Sequence, residues 1–139
     1  IEPQKDDLIP FFKKIIDKTK ANLIISTGFY NNSLVEFLKN NFSLLDNNVY
    51  IYKYNNNNIF LLTKLDFNEL RFIIKKSNTL IACHGAPTHL AAAFNKKIID
   101  IYDKSQSNFY IKWNSHFRNY KYIYRDKFNL LSTQLLDNI

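Results

Sequence analysis

Residues 79–94 read Thr-Leu-Ile-Ala-Cys-His-Gly-Ala-Pro-Thr-His-Leu-Ala-Ala-Ala-Phe, a short apolar run that breaks at a glycine and resumes as a helix of small residues. A continuous apolar strand is one covered on both faces. A helix that starts within a few residues of it lies back against the sheet. This joint restricts the chain to the α/β class.

The neighbouring stretches carry the same alternation. Leu8, Phe11, Phe12, Ile15 and Ile16 fall at helical spacing, which predicts a helix over 7–19 with Pro10 in its first turn. Asn22–Thr27 is a short apolar run ending at Gly28 and reads as a buried strand. Ser33-Leu34-Val35-Glu36 is a capping-box pattern and starts a helix to about Phe42. Val49–Tyr54 reads as a strand. The asparagines at 55–58 then form either a hairpin into a strand over Ile59–Leu62 or a plain surface loop. Asp66 and Glu69, with the Leu65/Leu70 staple, start another helix. Beyond the central joint, Lys97–Tyr102 and Tyr120–Tyr124 read as strands and Asn129–Leu136 as a terminal helix, while 103–118 shows no clean period. The expected architecture is a mostly parallel, Rossmann-like sheet with helices on both faces.

The length, 139 residues with 46% apolar side chains, suits one domain with a real core. The chain has two glycines and three prolines, which argues against disorder. It opens on Ile and contains no Met, so a fragment of something longer is expected. No apolar run is long enough to cross a bilayer, and no signal-peptide pattern opens the sequence. The single cysteine excludes an internal disulfide and fits a reducing compartment, hence a cytoplasmic location. A net charge of +7 favours an anionic partner or only solubility.

At the central joint, Pro87 suits the first helical position. Gly85 offers a positive φ or close backbone approach. The N–H groups of Ala86, Thr88 and His89 are expected to point outward from the helix start and form an anion site outside the carboxyl end of a strand. His84 and His89 are candidate hydrogen-bond donors to phosphate, or local turn and cap residues. Thr27 and Gly28 line the same cleft if one sheet carries both turns; otherwise they are a tight turn. Lys64 reaches a phosphate or is simply solvated. Cys83 and His84 point to opposite faces of a strand, so they do not make a nucleophile pair, and Cys83, His84 and His89 match no common zinc spacing. Residues 104–127 interleave Lys104, Lys112, Arg118, Lys121, Arg125 and Lys127 with aromatics. Such a stretch grips nucleic acid, phosphates or an anionic membrane, or packs its rings while the cations reach outward.

The run Pro87-Thr88-His89-Leu90-Ala91-Ala92-Ala93, with the helix and strand before it and Lys97–Tyr102 after it, resembles the heptosyltransferase-type glycosyltransferases of family nine. The resemblance spans about residues 5–125 and is specific over 66–102. That family's pattern is Asp-Ser-Gly-Pro-x-His-Leu-Ala-Ala-Ala; here His84 stands for its Asp and Ala86 for its Gly.

The resemblance implies one half of a GT-B fold, a single C-terminal nucleotide-sugar-binding domain over 1–139 with the N-terminal half missing. It implies an inverting glycosyltransferase, inactive as this fragment, that moves a heptose-like sugar from a nucleotide-diphosphate donor to a surface-glycan or lipopolysaccharide-core acceptor. The donor-binding residues would be His84, Gly85, Ala86, Pro87, Thr88, His89, Thr27, Gly28, Lys64 and Lys5. The catalytic base would belong to the missing half, and neither a cofactor nor a metal is expected. The partners would be a nucleotide-sugar donor, a glycan or glycolipid acceptor and an anionic membrane surface at the inner face of the cell membrane. A non-catalytic nucleotide- or glycan-binding module and a basic nucleic-acid binder are the alternatives.

Overall fold

The computed structural model describes residues 3–29 and 31–139. They pack as two compact units, Pro3–Phe67 and Asn68–Ile139.

The first unit opens with α1 (Lys5–Thr19). The helix starts two residues earlier than the apolar period alone predicts. Gln4 takes the N-cap position, and Asp7 accepts its amide hydrogen at 3.1 Å. Pro10 therefore lies in the second turn. Strand β1 (Leu23–Ser26) precedes α2 (Ser33–Asn41). Asn32, not Ser33, caps α2, with its Oδ1 accepting from the amides of Leu34 and Val35 at 3.1 and 3.0 Å.

Strands β2 (Ser43–Asp46), β3 (Val49–Tyr54) and β4 (Asn57–Leu62) complete the sheet, in the order β1-β4-β3-β2. β1 runs parallel to β4, and β3 is antiparallel to both of its neighbours. The asparagine run resolves as a hairpin: Asn55 takes φ 53°, and Asn57 and Asn58 already belong to β4. Ile59 and Leu61, two apart on the central strand, are fully buried against Leu8, Phe12 and Ile16 of α1.

The second unit carries α3 (Phe67–Lys76), β5 (Thr79–Cys83), α4 (Ala86–Ala93) and β6 (Lys97–Tyr102). A 3₁₀ turn at Lys104–Gln106 leads into α5 (Ser107–Trp113), then β7 (Tyr120–Tyr124) and α6 (Phe128–Asn138). β5, β6 and β7 form a wholly parallel sheet with β6 in the centre. Ile74, Ala91 and Ile98 form its core. The protein is thus α/β with a Rossmann-like parallel sheet. Thr27 and Gly28 do not share that sheet. They follow β1, so the expectation that one sheet carries both turns is corrected.

Candidate functional site

In the parallel sheet, strand register decides which side chains meet. Leu80 pairs with Ile98 and Ala82 with Asp100, so the next residue on that face of β5 is His84. On β7, Tyr120, Tyr122 and Tyr124 pair with Ile98, Asp100 and Tyr102. One sheet face therefore presents an imidazole, a carboxylate and a ladder of phenols toward the carboxyl ends of the strands.

Asp100 is fully buried. Its Oδ2 lies 2.6 Å from His84 Nδ1 and accepts from Tyr120 Oη at 3.0 Å and from Asn114 Nδ2 at 3.4 Å. Asn114 Nδ2 also donates to Tyr120 Oη at 2.8 Å. A carboxylate taken out of water is stable only with such partners. Oδ1 is buried and takes no hydrogen bond among the described residues. Burial first, and then the negative charge of Asp100, push the Tyr120 phenol far above the ordinary tyrosine range.

The sequence signal for Asp100 is an acidic residue in the middle of an apolar strand, Lys97-Ile98-Ile99-Asp100-Ile101-Tyr102. Such a residue must have a partner, and the partners come from other strands that only the register brings beside it.

Gly85 is the N-cap of α4 and Pro87 its second residue. The expected row of free amides is not there. The amides of Thr88 and His89 donate to the Gly85 carbonyl at 3.0 and 3.4 Å. Thr88 is buried, and its hydroxyl donates to the same carbonyl at 2.7 Å while accepting from the Gly85 amide at 3.3 Å. The reason is helix geometry: His89 is the fourth residue of α4, where the amide makes the first turn's bond to the cap carbonyl, and Thr88 folds back on the cap beside it. Ala86 is exposed, and among the described residues its amide is left open.

His84 packs its ring 4.0 Å from that of Tyr110 and 5.3 Å from that of His89. His89 in turn meets Phe117, Trp113 and His116. Burial first, then nearby His84 and His116, lower the His89 pKa from its ordinary value. A crevice of about 160 Å³ opens at the strand ends, lined by Cys83, His84, Tyr102, Asp103, Tyr110 and Arg125 among others. It is smaller than the roughly 300–1,000 Å³ of drug-sized sites. No carboxylate forms an ion pair with Arg125 among the described residues.

The remaining candidates lie in the first unit. Thr27 and Gly28 follow β1, and Lys64 follows β4. The Lys64 amide donates to the Gly28 carbonyl at 2.7 Å, which ties these two turns together. Lys5 begins α1 and is exposed. Within 104–127 the rings divide: Phe109, Trp113 and Tyr122 are exposed, while Tyr110, Phe117 and Tyr124 are half-buried. Among the described residues, no three histidine, cysteine or carboxylate side chains are grouped to hold a metal, and no helix is long and apolar enough to cross a membrane.

A family model described as glycosyltransferase family 9 (heptosyltransferase) matches residues 47–136, more than half of the chain. The match contains Lys64 and the whole turn from His84 to His89, and leaves Lys5, Thr27 and Gly28 outside. Comparison with curated proteins and with solved structures returned no match.

Proposed function

The chain belongs to glycosyltransferase family 9, and from that premise we propose that its second unit holds the diphosphate end of a nucleotide-sugar donor. The observation that carries this reading is the crevice outside the carboxyl ends of β5, β6 and β7, where His84 and Arg125 stand together. The open amide of Ala86 follows in the same turn. Arg125 supplies a fixed positive charge, and the α4 start adds its dipole. Asp103 is the opposing carboxylate in the crevice.

In transfer, the acceptor hydroxyl attacks the anomeric carbon, and the bond to the diphosphate oxygen breaks with its electron pair. The leaving diphosphate gains negative charge, and hydrogen-bond donors fixed in advance stabilise it. Family membership supports a glycosyltransferase. The inverting course, a heptose-like sugar and a surface-glycan or lipopolysaccharide-core acceptor are the finer proposal. So is a base supplied by another half of the full protein, which leaves this chain without turnover on its own. The exposed rings of α5 beside Lys112 suit an anionic membrane surface.

Calorimetry with ADP, GDP, UDP and CDP tests the donor site. At least one is expected to bind, and Arg125→Ala to weaken it by about tenfold, the scale of a charge-assisted hydrogen bond. Heat from none of the four overturns the reading. The engaged amides of Thr88 and His89 favour one competing account, a binding module without turnover. Transfer by the full-length protein excludes that module.

A further inference from the structure

We propose that Asp100 is a positioning residue for the donor site: it holds His84 as the Nδ1–H tautomer, so that Nε2 is the atom the ligand meets. The proposal rests on the donor-binding reading above. The two nitrogens of an imidazole point away from each other across the ring. With Nδ1 2.6 Å from a fully buried carboxylate oxygen, Nε2 lies on the side of the ring away from that carboxylate. His84 also lines the crevice at the strand ends.

The carboxylate is itself held. Tyr120 and Asn114 both donate to the oxygen that His84 uses, and they bond each other. Rotation of Asp100 would break its bonds to His84, Tyr120 and Asn114 together. The ring is further braced by Tyr110 on one side and the edge of His89 on another. A carboxylate behind an imidazole fixes both its tautomer and its orientation. Free imidazole has no such preference imposed on it, so the lock is measurable without any ligand.

The test uses the full 139-residue chain with nitrogen-15-labelled histidine. Long-range nitrogen–proton spectra report the tautomer of each ring, and His84→Gln assigns the signals. The wild type is expected to show His84 protonated at Nδ1. Inorganic pyrophosphate is expected to move the His84 Nε2 resonance more than Nδ1. Asp100→Asn is expected to release the tautomer and to weaken pyrophosphate by about tenfold or more, the scale on which partners behind an orienting histidine act. Tyr120→Phe keeps the Asp100 carboxylate and is expected to keep the tautomer. A purely structural Asp100 would leave the tautomer of a folded variant unchanged.

Should Asp100→Asn not fold, the wild-type tautomer decides alone. An Nε2–H tautomer in the free wild type overturns the assignment of Asp100 and leaves the donor reading to calorimetry. A locked Nδ1–H ring whose Nε2 ignores both pyrophosphate and the nucleoside diphosphates overturns the donor reading, and the positioning role with it.

Discussion

Tyr120 Oη donates to Asp100 Oδ2 at 3.0 Å, and the phenol can leave its proton only by placing a second negative charge beside a buried first one. Burial and that neighbour raise the Tyr120 pKa well above the 10.0 of an exposed tyrosine. In the unfolded chain the phenol ionises near its ordinary value. A group whose folded pKa is raised stabilises the fold below the unfolded pKa and loses that contribution as pH climbs toward the folded one. The denaturation midpoint is therefore expected to fall steeply above about pH 10, and less steeply in Tyr120→Phe. Urea unfolding followed by circular dichroism from about pH 8 to about pH 11 measures both slopes. Equal slopes would mean that Tyr120 is not the group responsible.

Asp100→Ala removes the acceptor for His84, Tyr120 and Asn114 at once. Leaving buried donors without their acceptor costs about 1–3 kcal/mol each, because they stay desolvated. Chemical denaturation is expected to show a loss of that size. His84→Ala is expected to cost a comparable amount, since it strips a fully buried carboxylate of its closest partner. In the double variant the losses are expected to add to less than their sum. Full additivity would separate the two residues energetically.

Local chemistry made most of the elements legible, and long-range pairing did not. The run Thr79–Cys83 and the helix after it follow from apolar patterning and the Gly85–Pro87 turn. The strand β2 was missed because its residues are all exposed: Leu44 and Leu45 leave no alternation to read on an edge that packs one side of a hairpin. The partition into two sheets depends on which strands pair, a property that no single segment carries. The site behaved likewise. The turn was visible, yet the Gly85 amide goes to the Thr88 hydroxyl and the Thr88 and His89 amides go to the Gly85 carbonyl. Asp100 was the readable exception on an apolar strand, and only register reveals that His84 shares its face.

The two glycines are expected to respond differently to alanine. Gly28 has φ 58° and nothing near a built Cβ, so Gly28→Ala pays only for the left-handed backbone, about 1 kcal/mol. Gly85 is extended rather than left-handed, and a Cβ there meets only the Pro87 ring at an ordinary 3.8 Å. Gly85→Ala is therefore expected to keep its stability within about 0.5 kcal/mol. The left-handed φ anticipated for this turn is absent, so on the proposed donor reading the glycine would serve close approach of a ligand. Nucleoside diphosphate affinity should then drop in Gly85→Ala while its unfolding curve stays in place. Unchanged affinity would remove Gly85 from the site.

His89 gives the acid side of the pH profile. Its pKa lies below the ordinary 6.5 because burial disfavours the imidazolium, and His84 and His116 nearby add to the effect. Between the folded and unfolded values the unfolded chain binds more protons, so acidification through that window favours unfolding. Above about pH 6.5 the linkage vanishes, and below the folded pKa it is constant. His89→Phe keeps a ring among Phe117, Trp113 and His116 and removes the proton site. The variant is expected to lose less stability than the wild type as pH falls from about 7 to about 5, in urea titrations at matched ionic strength. A steeper acid limb in His89→Phe would show that the imidazole is stabilised as its cation, and that the packing around α4 holds charge rather than excluding it.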